Sequence, residues 1–170
     1  MASLDDLKKR ITSVKSTQKI TKAMKMVAAA KLRKAQESAE KGRPYSEKMY
    51  NIILNLSKNI NDKENAPKLV AGSGKDNVHL CVVMTSDRGL CGGFNSNITK
   101  KAKSYFKKIL DSGKELKIVT VGSKGFDQLK RAYKEHIIEN ISFKESKNVN
   151  YFDADKVGKM IIDKFEKGEF

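Results

Sequence analysis

The stretch SLDDLKKRITSVKSTQKITKAMKMVAAAKLRKAQESAEK, residues 3–41, decides the fold, because it begins a helix that we predict to continue to about Ser57. Ser3 is a favourable N-cap residue. Asp5 and Asp6 follow in the first turn, where carboxylates stabilise the positive end of the helix dipole. At about 1.5 Å per residue, roughly 55 helical residues would reach about 80 Å, which no compact domain of this size encloses.

Apolar residues recur along this helix at spacings of three and four, which is typical of a coiled-coil seam with one slip of phase. Gly42 and Pro44 interrupt the series, but the same spacing resumes beyond them, so we expect a kink or a locally unwound turn there rather than the helix end. The rest of the chain looks too small to cover this stripe. The series comprises Leu4, Leu7, Ile11 and Val14, then Ile20, Met24, Val27, Ala28, Leu32, Ala35 and Ala39, and finally Tyr45, Met49, Ile52 and Leu56.

A length of 170 residues allows one modest hydrophobic core. We predict a shaft helix over 1–58, a linker over 59–77, and an incomplete Rossmann-like α/β domain over 78–170. The net charge is +15, and ten Lys or Arg against two Asp give +8 between Met1 and Lys34, so we expect an acidic partner. The sequence contains no recognisable signal peptide, transit peptide or transmembrane run, which predicts a soluble, cytoplasmic chain.

Short apolar runs alternate with helical patterns after residue 78, which predicts a parallel sheet covered by helices. The chain ends directly after the last helical pattern, where a fold of this class usually adds strands. The predicted strands are His79–Thr85, Leu116–Gly122 and a possible third at His136–Phe143, and the predicted helices lie at 98–110, Phe126–Tyr133 and Ala154–Phe165.

A glycine-rich loop joins the first predicted strand to the next helix. Gly89, Gly92 and Gly93 could let backbone amides approach a phosphate, with Arg88 adding charge. The spacing GLCGG matches neither common phosphate-binding pattern, and the only acidic residue at the usual distance, Asp111, falls at a helix end. We therefore interpret the glycines as structural and expect no nucleotide cofactor. Arg88 is placed either to meet a partner or to remain a solvated loop residue.

No arrangement of residues predicts a catalytic or metal site. His79 and His136 lack a nearby Cys, Ser or carboxylate motif, so we interpret both as structural. Cys81 and Cys91 have neither zinc spacing nor a disulfide pattern, which suits a reducing compartment, and Cys91 is best interpreted as a small packing residue. We predict that the chain is not an enzyme and holds no metal or cofactor.

The middle of the long helix is narrow and surrounded by cations. Ala28, Ala29 and Ala30 let another surface approach closely. One interpretation is an ordinary coiled-coil core with solvated charges around it, and the other is a shaft that turns inside an acidic collar. The residues that form and fringe this waist are Lys22, Met24, Lys25, Lys31, Arg33 and Lys34.

Three strings in the sequence resemble a known family: ITKAMKMVAAAKLRKAQ at Ile20–Gln36, TSDRGLCGGFNSNI at Thr85–Ile98 and VGSKG at Val121–Gly125. The family is that of gamma subunits of F-type ATP synthases, and the resemblance covers essentially the whole chain. It implies that the N-terminal helix pairs antiparallel with a C-terminal helix inside the hexamer of alpha and beta subunits. It also implies that the Rossmann-like domain lies at the base and contacts the epsilon subunit and the c-ring.

The resemblance further implies a non-catalytic rotor of the central stalk, which couples proton-driven rotation of the c-ring to ATP synthesis or hydrolysis at the beta subunits. Family members are considerably longer, so we expect a fragment or truncated product whose exposed stripe is what loss of the partner helix leaves. The absence of a presequence favours a bacterial protein on the cytoplasmic face of the inner membrane, bound peripherally without insertion. The residues implied to contact the beta subunits are Lys22, Met24, Lys25, Lys31, Arg33, Lys34 and Arg88.

Two other classes of protein remain as alternatives. A basic helical protein could bind nucleic acid, although residues 1–34 contain no interleaved aromatic residues and no recognised binding motif. A nucleotide-dependent enzyme with a Rossmann-like domain is the second alternative, and the spacing of the glycine loop argues against it.

Overall fold

The computed structural model describes residues 3–60, 66–146 and 149–170. The chain divides into two compact units, Met1–Lys63 and Glu64–Phe170. The first unit contains helix α1 (Leu4–Lys58). In chain order, the second contains α2 (Lys68–Ala71), β1 (Val78–Met84), α3 (Phe94–Asp111), β2 (Glu115–Val121), α4 (Ser123–Tyr133), a 3-10 turn (Lys134–His136), β3 (Ile137–Ile141) and α5 (Tyr151–Glu166).

Helix α1 begins where the sequence predicts, because its first turn is closed by a capping box. The Ser3 hydroxyl accepts a hydrogen bond from the Asp6 amide at 3.4 Å, and the Asp6 carboxylate accepts one from the Ser3 amide at 3.3 Å. The helix runs for 55 residues and includes Pro44. The locally unwound turn expected near Gly42 and Pro44 is wrong, since Pro44 removes one backbone donor while the turns on either side remain helical.

No residue of α1 is buried. Leu7, Ile11, Met24 and Leu32 are all exposed, so the apolar stripe that the spacing predicts lies open along this helix. Threonine hydroxyls such as that of Thr12 donate to carbonyls one turn earlier, which satisfies them within the helix. The stability of α1 in a folded state therefore depends on burial of this stripe by another surface.

The second unit is built on a three-stranded parallel sheet with strand order β1-β2-β3. β2 is central, and Ile118, Val119 and Thr120 are fully buried within it. Parallel neighbours need crossover connections, which α3 and α4 supply. The predicted fold class, a long helix followed by a partial Rossmann-like parallel α/β domain, is confirmed.

Helices cover both faces of the sheet because successive side chains of β2 point to opposite faces. Helices α3 and α4 pack on one face and α5 packs on the other. One core comprises Val83, Phe106, Ile109, Leu116, Ile118 and Leu129, and the second comprises Val119, Val121 and Val157.

Two helices begin earlier than the sequence patterns indicate, at Ser123 and Tyr151 instead of Phe126 and Ala154. The short helix α2 lies within the stretch 59–77 that we interpret as linker, of which residues 61–65 are outside the described part of the chain. The division into 1–58, 59–77 and 78–170 stays a prediction.

Candidate functional site

The carboxyl ends of the three parallel strands lie along one edge of the sheet, and the loops that leave them are bonded to one another. The Thr85 amide donates to the carbonyl of Val121 at 2.7 Å, and the Gly122 amide donates to the carbonyl of Ile141 at 2.8 Å. The Thr85 hydroxyl accepts from the Gly125 amide at 2.7 Å. The strings TSDRGLCGGFNSNI and VGSKG, which are far apart in sequence, therefore meet at this edge.

Asp87 connects the loops that follow all three strands. Its carboxylate accepts hydrogen bonds from the Ser123 amide at 2.8 Å, the Ser142 hydroxyl at 2.7 Å and the Phe143 amide at 3.0 Å. The Ser123 hydroxyl donates back to the carbonyl of Asp87 at 3.0 Å. Since Ser123 is the first residue of α4, Asp87 also supplies that helix with the anionic cap that Gly122 lacks a side chain to provide.

The pKa of Asp87 is lowered in the folded protein by two opposing effects. Desolvation by burial raises it, but the hydrogen bonds from Ser123, Ser142 and Phe143 together lower it further than desolvation raises it. The carboxylate is therefore ionised at neutral pH and holds the three segments in its charged form.

A second network fixes the loop between β1 and α3. Asn95 is buried, and its side-chain carbonyl accepts from the Ser86 amide at 3.0 Å. The Asn95 amide group lies 2.9 Å from the Ser86 hydroxyl and 3.2 Å from the sulfur of Cys91. The Ser86 hydroxyl in turn donates to the carbonyl of Arg88 at 2.5 Å. Both ends of the loop are therefore tied to the first turn of α3.

The tip of this loop places Leu90 in a backbone conformation that side chains rarely adopt. Its φ is +62°, in the left-handed region, which costs about 1–2 kcal/mol for a residue with a Cβ. Gly92 also has a positive φ, at +58°, whereas Gly93 has a φ of −80° and forms the N-cap of α3. Gly89 faces open space. Among the three glycines that we interpret as structural, only Gly92 uses the freedom of a missing Cβ for its dihedral angle.

Arg88 is exposed on this loop, and within the described part of the chain it takes part in no salt bridge. Its guanidinium is free to meet an anionic partner. The arrangement does not favour a bound phosphate at α4, because the Asp87 carboxylate already occupies the amide of Ser123.

The predicted waist residues of α1 surround the helix and do not share one face. Lys22 and Arg33 are eleven residues apart, close to three turns, and lie on nearly the same side. Met24 and Lys31 are seven residues apart, close to two turns, and lie on the opposite side. Lys25 and Lys34 fall on other sides, and all six residues are exposed.

Arg33 has a neighbour on its own helix. Its Nε lies 3.0 Å from a carboxylate oxygen of Glu37, one turn later. Both side chains are largely exposed, so a pair of this kind contributes only about 0.3–0.5 kcal/mol. An acidic partner could therefore take over the Arg33 guanidinium at little cost.

The two histidines occupy structural positions, as the sequence predicts. His79 lies beside Asp76, with 2.9 Å between Nε2 and a carboxylate oxygen, and the His136 ring lies 3.2 Å from the carbonyl of Leu116. Both cysteines are free thiols. Within 3–60, 66–146 and 149–170, no cluster of three or more His, Cys, Asp or Glu side chains could hold a metal, and no helix is long and apolar enough to cross a membrane.

Sequence reasoning missed the residues that build the edge, namely Thr85, Ser86, Asp87 and Asn95. Thr85, Ser86 and Asp87 precede a glycine, which is typical of a turn, but nothing local indicates which distant groups they bond. Asn95 follows the glycine pair that opens α3, and a polar side chain in the first turn of a predicted helix is the only signal that could have found it.

Comparison with known proteins identifies relatives over the whole chain. The sequence model of a family described as ATP synthase matches residues 3–170. The chain is 78% identical over 170 residues to the ATP synthase gamma chain of Pelagibacter ubique (strain HTCC1062), covering all of this chain and 58% of that protein. It is 55% identical to the ATP synthase gamma chain of Rhizobium etli (strain CIAT 652), with the same two coverages. The chain thus spans 58% of the length of these curated relatives.

Among solved structures, the chain is similar to a chain of the mitochondrial ATP synthase of Euglena gracilis, in a cryo-EM structure of its OSCP, F1 and c-ring. The TM-score is 0.41 and the sequence identity is 16%, over 76% of this chain and 46% of that chain.

Proposed function

This chain belongs to the ATP synthase family, and from that premise we propose that it acts as the gamma subunit, the rotor of the central stalk. In this role it couples proton-driven rotation of the c-ring to ATP synthesis or hydrolysis at the beta subunits. The observation that carries the proposal is the 78% identity to a gamma chain over all 170 residues. The 55-residue helix α1, which buries none of its side chains, supports it as a rod that awaits other surfaces.

The proposed role needs no chemistry on this chain, and we assign catalysis to other subunits. An asymmetric shaft makes different contacts with three otherwise equivalent beta subunits, so each contact favours an open or a closed nucleotide site by its difference in free energy. Moving a site from almost wholly open to almost wholly closed requires about 5.5 kcal/mol. Several charge pairs together with changes in packing could supply this amount.

We assign the apolar stripe of α1 to an antiparallel helix of the same rotor, and the cations around its waist to the acidic surface of the beta subunits. The local net charge of +8, from ten basic and two acidic residues in Met1–Lys34, supports an acidic partner. The exposed Arg88 supports a second contact from the α/β domain. The proposed contact residues are Lys22, Met24, Lys25, Lys31, Arg33, Lys34 and Arg88.

The proposed assembly contains the alpha and beta subunits of the catalytic hexamer, the epsilon subunit and the c-ring. The relatives from Pelagibacter ubique and Rhizobium etli support a bacterial complex. We therefore place the chain on the cytoplasmic face of the inner membrane, held there through the c-ring. Reconstitution with alpha and beta subunits tests the proposal: we expect one stable complex on gel filtration, and separate elution of the chain would contradict it.

Charge reversal at both proposed contacts tests the coupling role. In a rotor of the relatives' full length that carries this sequence, Arg33→Glu together with Arg88→Glu should reduce proton pumping per ATP hydrolysed by about tenfold. The reason is that two attractive contacts become repulsive, and about 1.4 kcal/mol corresponds to a factor of ten. The measurement is the ratio of proton uptake to ATP hydrolysis in membrane vesicles.

Two matched variants control for loss of charge alone. Glu37→Gln removes the neighbour of Arg33 but keeps its cation, and Lys41→Glu with Lys101→Glu reverses two exposed charges outside the proposed contacts. We expect near-normal coupling from both variants and an unchanged circular dichroism spectrum from all of them. Normal coupling in the Arg33 and Arg88 double reversal would contradict the assignment of these residues.

The alternative functions have separate tests. A nucleic-acid-binding protein of this charge would shift DNA or RNA on a gel, with an affinity that falls steeply as salt rises. A nucleotide-dependent enzyme would bind ATP or NAD saturably in a titration. We expect no sequence-specific shift and no saturable binding, and the comparisons give no support to either alternative.

A further inference from the structure

Leu90 combines two features that folding alone does not favour. Its side chain is 107% exposed relative to the reference state, so it is fully in water, and its φ of +62° is a conformation that glycine or asparagine adopts at lower cost. Either of those residues would relieve the strain and remove the exposed apolar surface. A large apolar residue held in a strained conformation in solvent is typical of a functional site.

The surrounding structure imposes this conformation on Leu90. The preceding residue, Arg88, has its carbonyl held by the Ser86 hydroxyl, and the following residue, Cys91, has its sulfur contacted by the amide group of Asn95. The Phe94 amide donates to the carbonyl of Cys91 at 3.3 Å, which starts the turn into α3. The tip is therefore fixed from both sides, and Leu90 is presented in one orientation.

The neighbours of Leu90 define the chemistry of a surface that would accept it. Arg88 is two residues away, exposed and cationic. Phe94 and Met84, on either side of the loop, are also exposed, at 54% and 63%. A leucine at the tip of a loop with a cation beside it fits an apolar pocket with an acidic rim.

We propose that Leu90 is the apolar anchor of this loop, inserted into an acid-rimmed apolar pocket of the beta subunit, with Arg88 meeting the rim. The inference rests on the proposed function, which supplies the beta subunit as the partner. Charge complementarity favours that partner, because the chain carries a net charge of +15 and Arg88 lies beside the anchor. Insertion would bury a complete leucine side chain that is now in water.

Three substitutions at Leu90 separate anchoring from folding. Leu90→Gly and Leu90→Asn relieve the backbone strain but remove the apolar side chain, so the melting temperature of the chain should stay equal or rise by about 2–5 °C. Leu90→Met keeps an unbranched apolar side chain of similar size and should bind as wild type does. The first two variants should bind a mixture of alpha and beta subunits about 10- to 100-fold more weakly.

The measurement is the dissociation constant of the chain for alpha and beta subunits, determined alongside thermal unfolding of each variant. Weaker binding by Leu90→Gly and Leu90→Asn without a lower melting temperature, and normal binding by Leu90→Met, would establish the anchor. Equal binding by all variants would overturn the anchor and leave the proposed function intact. A lower melting temperature in both Gly and Asn variants would assign Leu90 to the fold and overturn the anchor, and failure of wild type to bind would overturn both proposals.

Discussion

Replacing Gly122 with alanine should destabilise the α/β unit by about 4 kcal/mol or more, the largest effect of any single change that we predict here. Gly122 has a φ of +102°, and a Cβ placed on it would lie 2.1 Å from the backbone oxygen of Thr85. The backbone strain and the clash both act against alanine. Because the clashing atom belongs to the backbone, trimming Thr85 to alanine cannot rescue the variant. Thermal unfolding should show a fall in melting temperature of roughly 20 °C.

Gly113 provides the matched control for this substitution. Its φ is +72°, also in the left-handed region, but no heavy atom lies within 4 Å of the position that a Cβ would take. Gly113→Ala should therefore cost only about 1 kcal/mol, from backbone strain alone. Equal effects of the two substitutions would mean that contact with Thr85 does not restrict Gly122.

Replacing Asp87 with alanine should destabilise the same unit by about 3 kcal/mol and lower its melting temperature by roughly 10–15 °C. The change leaves the Ser123 and Phe143 amides and the Ser142 hydroxyl without their acceptor, and removes the cap of α4. Asp111→Ala is the control, because Asp111 is exposed at the last residue of α3, and it should change stability by less than about 0.5 kcal/mol. A matching small effect of Asp87→Ala would contradict the connecting role of Asp87.

The contribution of Asp87 should depend on pH in a defined direction. Its pKa is lower when folded than when unfolded, so its charge stabilises the fold fully above the unfolded pKa of about 3.9. That stabilisation is lost as the pH falls through the folded pKa. The difference in unfolding free energy between wild type and Asp87→Asn should therefore be constant from pH 6 to 8 and shrink towards pH 2. A difference that grows in acid would contradict the assigned direction.

Local sequence signals predict α1 and the sheet well, because both depend on short-range patterns. The spacing of apolar residues and the cap at Ser3 give the bounds of α1 within one or two residues. The start of α5 was also available from sequence, since Asn150 and Asp153 form a capping box that the apolar pattern alone overlooks. The earlier start at Tyr151 follows from that box.

The edge that carries the loops could not be predicted, because its bonds join residues far apart in sequence. Helix α4 begins at Ser123 since a carboxylate 36 residues earlier, that of Asp87, accepts from its amide. The left-handed conformation of Leu90 likewise has no local signature, as nothing in the residue type favours it. The contacts proposed for α1 and Arg88 stay predictions, because they depend on surfaces of other proteins.

The bonds of Asp87 also bear on when the subunit can enter an assembly. Ser142 and Phe143 follow Asp87 by 55 and 56 residues, so their bonds to it cannot form until the third strand has left the ribosome. A nascent chain that has emerged only as far as α3 presents Arg88 and Leu90 on an unanchored segment. Recruitment through this loop is thereby restricted to chains whose sheet is finished, which gives biogenesis a built-in checkpoint against incorporating half-made rotors.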